Sequence, residues 1–117
     1  VPSTLDYNGI YKGKYIDFDA KETLNKTSFP LSNLHDHQLL HMKRIINHKG
    51  ISFLIIKINS LYYLLDGNDI IDFIKNNERK SIPYDYIKEK GYIIKEGIRP
   101  ALDYIKVIDK VYFKEDK

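Results

Sequence analysis

Two carboxylates and a lysine near the start of the chain have residue types and a spacing that suit metal-ion chemistry. Asp6 and Asp19 are the carboxylates, and Lys21 follows Asp19 after a single intervening residue. Mg²⁺ takes oxygen ligands and is often held by one or two carboxylates together with waters and substrate phosphate. A lysine beside such an ion can hold a water or a phosphate oxygen. The three residues therefore predict a divalent-cation site with Asp6 and Asp19 as ligands.

A β-hairpin over residues 4–21 is the element that must bring these groups together. Alternating apolar and polar runs, 5–11 and 14–21, lie on either side of Lys12-Gly13. A two-residue turn there pairs residues whose numbers sum to 25, so Asp6 faces Asp19. Like charges directly opposite each other are destabilising, so the pairing indicates a cation between the carboxylates. Side chains alternate between faces, which places Asp17, Asp19 and Lys21 on one face.

A second hairpin register competes with this one. Asn8-Gly9 is the better type I′ turn dipeptide, but a turn there pairs Asp6 with Tyr11 and leaves Asp19 alone. We favour Lys12-Gly13 because it lets both strands be long.

Structural interpretations compete with the metal site. An acid-x-Lys triplet arises by chance in a charged chain, and on spacing alone a solvated strand face is the simpler interpretation. For Asp17 an outer-shell or solvated acid is favoured over a ligand. His37 and His41 lie four apart and resemble half of a zinc site, but the chain has no cysteine and no nearby third ligand.

Length and composition exclude several classes of protein. The 117 residues are enough for one domain, and 30% charged with 43% hydrophobic residues is typical of a soluble globular chain. No apolar run approaches the roughly 20 residues of a membrane span. The lack of cysteine excludes a disulfide framework and fits a cytoplasmic location. A net charge of +3 is compatible with nucleic acid without being diagnostic.

The pattern beyond the hairpin predicts a mixed α/β sheet with helices packed on it. Two strands, 51–59 and 61–65, are joined through Asn59-Ser60, and a short strand covers 92–94. Four helices are predicted. The first is capped by Ser32 or Asn33 and runs to about His48, and the second is capped by Asn68 or Asp69. The third covers 82–90 and ends at Gly91, and the fourth covers 103–112.

Long runs of the chain resemble the RecU Holliday junction resolvases of Gram-positive bacteria. The resemblance rests on residues 6–23, 25–30 and 35–38 and on His41-Met42, and it continues at 79–82 and 103–106. It covers nearly the whole chain in order. The acid, acid-x-Lys pattern within it resembles the signature of the PD-(D/E)xK nucleases.

The resemblance implies a restriction-endonuclease-like mixed β-sheet flanked by helices, and a homodimer. It also implies Mg²⁺-dependent cleavage of opposed strands at a four-way DNA junction, with Mn²⁺ as a substitute, in homologous recombination and DNA repair. Further implied partners are the RecA recombinase and the branch-migration machinery. The positions that match the family's site are Asp6, Asp19 and Lys21 as the catalytic triad, Thr4 as a nearby hydroxyl, Gln38 as a supporting polar group and Ala20 as a backbone carbonyl ligand.

Two departures from the family pattern matter. The family commonly has Glu where this chain has Asp19, which is one methylene shorter. The family also has an N-terminal region with a further acid and a projecting stalk, so residues 1–117 are expected to be one nuclease domain without that region.

The basic residues leave the DNA-binding surface open. Lys12, Lys14 and Lys26 flank the acids and favour contact with phosphate. Lys43 and Arg44, near Lys49 at the end of the predicted helix, fit either phosphate contact or a solvated face. Two rival functions also stay open: a restriction or repair nuclease of the same fold that acts on duplex DNA, and a non-catalytic DNA-binding modulator of recombination.

Overall fold

The computed structural model describes residues 7–94 and 100–113, and among these the side chains of residues 8–94 and 106–113. A five-stranded sheet in the order β1-β2-β4-β5-β7 and a two-stranded sheet, β3-β6, carry the fold. The elements are β1 Tyr7–Tyr11, β2 Lys14–Glu22, β3 Ser28–Pro30, α1 Asp36–Asn47, β4 Ile51–Ile58, β5 Leu61–Asp66, α2 Gly67–Asn76, β6 Ser81–Pro83, α3 Tyr84–Lys90, β7 Tyr92–Ile94 and α4 Pro100–Tyr112. The predicted α/β class with a mixed sheet and flanking helices is confirmed.

The hairpin of β1 and β2 has the favoured register. Its pairs run from Tyr7 opposite Phe18 to Tyr11 opposite Lys14, so the paired numbers sum to 25. Lys12 and Gly13 have φ of 51° and 80°, the positive values that a type I′ turn requires. The alternative turn at Asn8-Gly9 is wrong, because both residues lie inside β1 and pair with Asp17 and Ile16 of β2. Asp6 and Thr4 lie outside the described residues.

Strand β4 is buried on both faces, as its nearly continuous apolar run predicted. It lies between β2, to which it is parallel, and β5, to which it is antiparallel. Leu54 and Ile56 pack with α1 and α2 on one face, while Phe53 and Ile55 pack with α4 on the other. The turn at Asn59-Ser60 joins β4 to β5 as predicted, with φ of 54° and 66°.

The starts of all four helices differ from the prediction. Helix α1 is capped by His35 rather than by Ser32 or Asn33, because Leu31–Asn33 form a 3-10 turn that follows directly from β3. That turn is held by β3–β6 pairing and by the Leu31 N–H, which donates to the Lys80 carbonyl.

Helix α2 begins at Gly67 with Asp66 as its cap rather than Asn68 or Asp69. Oδ2 of Asp66 accepts the Asn68 N–H at 2.9 Å. Strand β5 therefore passes into α2 without a loop. Helix α3 begins at Tyr84 rather than at residue 82, which lies in β6, and helix α4 begins at Pro100 rather than at residue 103.

The small β3-β6 sheet was not predicted, since each of its strands has three residues and a proline. None of the helices in the described ranges is long and apolar enough to cross a membrane.

Candidate active site

Asp19 lies at the centre of a buried polar cluster on β2. Its residue is only 2% exposed, and three donors surround its carboxylate. Oδ1 accepts the Ala20 N–H at 2.9 Å. Oδ2 lies 3.1 Å from the Lys21 ammonium and accepts from Nε2 of Gln38 at 3.0 Å. The structure thus brings together Asp19, Lys21 and Gln38, three of the residues that the resemblance assigned to the site, and their role in catalysis stays a prediction.

The pleat of β2 and the packing of α1 create this cluster. Asp19 and Lys21 are two apart on a strand, so both point to the face that α1 covers. Helix α1 buries Met42 on that same face. Gly67 makes the close packing possible, since a Cβ there would lie 2.7 Å from the Ser52 carbonyl and 3.0 Å from Cγ of Met42. Lys21 also donates to Oε1 of Gln38 at 3.4 Å.

Gln38 is oriented by the first turn of its own helix. It is the third residue of α1 and forms a capping box with His35. The His35 N–H donates to Oε1 of Gln38 at 3.1 Å, while the Gln38 backbone N–H donates to the His35 carbonyl at 3.0 Å. The amide oxygen therefore faces His35 and Lys21, and the amide nitrogen is left to donate to Asp19.

Asp17 forms a second buried contact set on the same face. It is 1% exposed, and its Oδ2 accepts from the Tyr15 hydroxyl at 2.9 Å and lies 2.9 Å from Nε2 of His41. Burial, together with the hydrogen bond to Asp17 and its charge, raises the pKa of Tyr15, which keeps the hydroxyl protonated as a donor. The solvated-face interpretation is wrong for both acids, because α1 covers them.

The two histidines of the hypothetical zinc half-site have different partners. His41 contacts Asp17, whereas the His37 ring stacks on the ring of His35 with centroids 5.8 Å apart. Sequence reasoning missed the pairing of His41 with Asp17. The only available signal was that His41 follows Gln38 by one helical turn.

The described donor set fits part of an oxygen-ligated metal site. Asp19 supplies carboxylate oxygens of the type that Mg²⁺ prefers, and Lys21 adds a neighbouring positive charge. Ala20 is exposed at the surface end of β2 and pairs with Ile55 of β4. Within residues 8–94 and 106–113, no three His, Cys, Asp or Glu side chains are grouped to hold a metal ion. The other predicted ligand, Asp6, lies outside the described residues, and the metal site stays a prediction.

The basic residues differ in how free their charges are. The Lys12 ammonium lies 2.9 Å from Asp109 of α4 and over the rings of Tyr11 and Phe113. The hydrogen bond to Asp109 is the main reason that the pKa of Lys12 is raised. Lys14 donates to the Lys49 carbonyl at 3.3 Å. The other three basic residues are exposed: Lys26 lies on the loop after β2, and Lys43 and Arg44 lie on α1. Contact of any of the five with DNA stays a prediction.

Fold and site together define an α/β protein whose centre is a buried acid-x-Lys unit, supported by a glutamine from the next helix. A family model described as "RecU: Recombination protein U" matches residues 1–110, and the chain therefore belongs to the RecU family.

Curated relatives agree with this assignment. Proteins named "Holliday junction resolvase RecU" from Bacillus cereus (strain B4264) and Bacillus mycoides (strain KBAB4) are each 55% identical to this chain. One from Bacillus anthracis (strain A0248) is 56% identical. Each match covers 96% of this chain and 58% of the relative. The chain thus spans somewhat more than half the length of these relatives.

Proposed function

We propose that this chain carries the nuclease centre of a structure-selective endonuclease that resolves four-way (Holliday) DNA junctions by metal-dependent phosphodiester hydrolysis. The observation that carries the proposal is the buried cluster of Asp19, Lys21 and Gln38 in a chain of the RecU family. The name of the relatives, Holliday junction resolvase, supports a four-way junction as the proposed substrate. The biological setting is homologous recombination and DNA repair in the cytoplasm.

Phosphodiester hydrolysis needs an attacking water, a neutralised phosphate and a stabilised leaving oxygen, and the proposed residues would meet these needs together. A Mg²⁺ ion held by Asp6, Asp19 and the Ala20 carbonyl would neutralise the phosphate and acidify a bound water, and Mn²⁺ would substitute. Lys21 would orient the attacking water and offset the charge that develops on the phosphate. The Thr4 hydroxyl is a further candidate contact at this site.

Gln38 has a supporting role in this proposal. Its amide holds Oδ2 of Asp19 in place and, through Oε1, also holds the Lys21 ammonium. A carboxylate fixed by hydrogen bonds does not have to reorganise when a cation binds, which lowers the cost of the reaction.

The proposed substrate also indicates which partners the chain would have. Two opposed strands must be cut, so a homodimer would supply one centre for each strand. The phosphates would be contacted by Lys12, Lys14 and Lys26 near the acids and by Lys43 and Arg44 on α1. Lys12 would have to exchange Asp109 for phosphate. The RecA recombinase and the branch-migration machinery are proposed as protein partners.

The test is cleavage of a synthetic four-way junction by the wild type and by Asp6→Asn and Asp19→Asn variants. Both variants should still bind the junction while product formation falls to background. Glu22→Gln is the matched control, because it removes one carboxylate from the exposed end of the same strand. Undiminished cutting by Asp19→Asn would overturn the proposal.

Two comparisons separate the rival functions. Equal cleavage of the junction and of a linear duplex of the same sequence would favour a restriction or repair nuclease. Junction binding without cleavage in either Mg²⁺ or Mn²⁺, and without calorimetric binding of the metal, would favour a non-catalytic modulator. Loss of cleavage in EDTA, with recovery on adding Mg²⁺, tests the cofactor.

A further inference from the structure

Asp17 is a buried carboxylate to which the proposed reaction gives no role. It shares a strand face with Asp19, yet Asp17 contacts Tyr15 and His41 whereas Asp19 contacts Gln38. Oδ2 of Asp17 contacts Tyr15 and His41, whereas Oδ1 is buried and has no hydrogen-bond partner among the described residues. A buried acid that is only half paired destabilises a fold, so a contribution to stability is a poor explanation for it.

Asp17 is one of the residues through which β2 contacts α1. Asp17 and Asp19 are two apart on β2, and their partners His41 and Gln38 are three apart on α1. The strand and the helix therefore run in opposite directions and are joined by polar contacts at two positions along the helix, His41 and Gln38, with Lys21 also donating to Gln38. Besides the apolar packing of Met42, the polar contacts at His41 and Gln38 tie α1 to β2 at two points of the helix, which restricts how the helix can turn relative to the strand. The contact at His41 can therefore influence where Gln38 lies relative to Asp19.

The surroundings bury the Asp17 side of this contact. Ser52, the β4 residue paired with Asp17, is buried, and its hydroxyl oxygen has no hydrogen-bond partner in the described part of the chain. The Asp17 carboxylate is thus enclosed by β4 on one side and by α1 on the other. His41 itself is partly exposed, with 26% of its side chain accessible, so its ring can be replaced without opening the core.

We propose that Asp17 and His41 are positioning residues for the candidate active site. Their contact holds α1 at the angle at which the Gln38 amide reaches Asp19. The structural half of this inference is independent of the reaction, and the kinetic half rests on the proposed nuclease function.

The first test observes Gln38 directly. The resonance of its side-chain amide is recorded by ¹⁵N–¹H correlation spectroscopy in metal-free protein, and Asp19→Asn provides the shift that marks loss of the charged acceptor. His41→Ala should move the Gln38 amide resonance and speed its exchange with solvent. His48→Ala, which removes an exposed imidazole from the C-terminal end of the same helix, should leave it in place. An unmoved Gln38 resonance in His41→Ala overturns the proposal.

The second test is a double-mutant cycle on junction cleavage. His41→Ala should lower kcat roughly 10- to 100-fold, the usual range for residues that hold a metal ligand in place, with KM for the junction unchanged. In a Gln38→Ala background the same change should cost no more than about twofold, because the two residues act through one contact. Full multiplication of the two losses would show independent effects and would overturn the proposal.

A conservative variant separates positioning from folding. The His41→Gln side chain keeps an N–H that can donate to Asp17, so it should recover most of the kcat lost in His41→Ala and restore the Gln38 resonance. If His41→Gln is as impaired as His41→Ala in both measurements, the contact with Asp17 is not what matters, and the inference is wrong. If the wild type does not cut junctions, the proposed function fails, while the Gln38 resonance still decides the positioning role.

Discussion

Replacing Gln38 with Glu changes one atom of the amide that faces Asp19. In the wild type, Nε2 of Gln38 donates to Oδ2 of Asp19 at 3.0 Å, while Oε1 is held by the His35 N–H and by Lys21. In the Gln38→Glu variant a second carboxylate oxygen would take the place of the donor. A hydrogen bond would then become a contact between like charges inside a buried cluster.

The structure sets the size of the effect. Loss of a hydrogen bond to a charged group costs about 1.5–3 kcal/mol. Repulsion adds to this, but it has an upper limit, because the introduced carboxyl can take up a proton and donate to Asp19 instead. Protonating an ordinary glutamate at pH 7 costs about 3.7 kcal/mol, from a pKa of about 4.3 and 1.36 kcal/mol per unit. Lys21 attracts the new charge, so we expect a loss of about 2–3 kcal/mol in the free energy of unfolding at pH 7.

The stability loss of Gln38→Glu should depend on pH in a defined direction. The folded state favours the protonated form of the introduced carboxyl, so its pKa is higher in the folded than in the unfolded chain. The penalty is therefore largest well above that pKa and shrinks as the pH falls, with an upper limit of about 1 kcal/mol at pH 5. Lowering the pH should thus bring the variant back toward the wild type.

The assay is urea unfolding followed by far-UV circular dichroism in EDTA at pH 7 and pH 5. Gln38→Met is the matched control, because it is close in volume and lacks both the donor and the charge. The reasoning is refuted if Gln38→Glu is as stable as Gln38→Met at pH 7, or if its deficit relative to the wild type grows at pH 5. Either result would mean that the amide nitrogen does not face Asp19.

Three further predictions concern the scaffold. Phe53→Ala empties a fully buried position whose ring stacks on Phe18 at 4.7 Å, and it should lower the free energy of unfolding by about 3–5 kcal/mol in urea, against Leu24→Ala at an exposed position as a mild control. Ser60→Gly relieves a φ of 66° in the β4–β5 turn and should raise stability by up to about 1 kcal/mol; a lower melting temperature would contradict the turn geometry. Burial and the hydrogen bond to Tyr84 raise the pKa of Tyr63 to about 12. The stabilisation of the folded state by the protonated Tyr63 hydroxyl is therefore complete below the ordinary tyrosine pKa of about 10 and is lost as the pH rises through about 12. Tyr63→Phe should remove one late-ionising tyrosine from the ultraviolet absorbance titration, and an unchanged late step would contradict the assignment.

The sequence by itself determined the elements that depend on neighbouring residues. The sequence offered two turn dipeptides for the hairpin, and the longer strands that Lys12-Gly13 allows favoured the register that the structure confirms. The apolar run of β4 predicted a strand buried on both faces, and Gly91 correctly marked the end of α3. These features arise from backbone sterics and side-chain period, which are local.

Helix starts were predicted less well for a physical reason. Ser32 and Asn33 are better cap residues than His35 in isolation, yet the pairing of β3 with β6 draws residues 31–33 into a 3-10 turn and leaves His35 at the first free position. The β6 partner lies about fifty residues away in the chain, so no local pattern contains this information.

Only the tertiary structure decided which polar groups meet. The resemblance placed Gln38 in the site, but its contact with Asp19 depends on the angle at which α1 crosses β2. The same packing buries Asp17 against His41 and changes an apparently solvated strand face into two enclosed carboxylates. Burial and pairing of charges depend on elements brought together from distant parts of the chain, and for this reason spacing along one strand predicted the residue types of the site but not their environment.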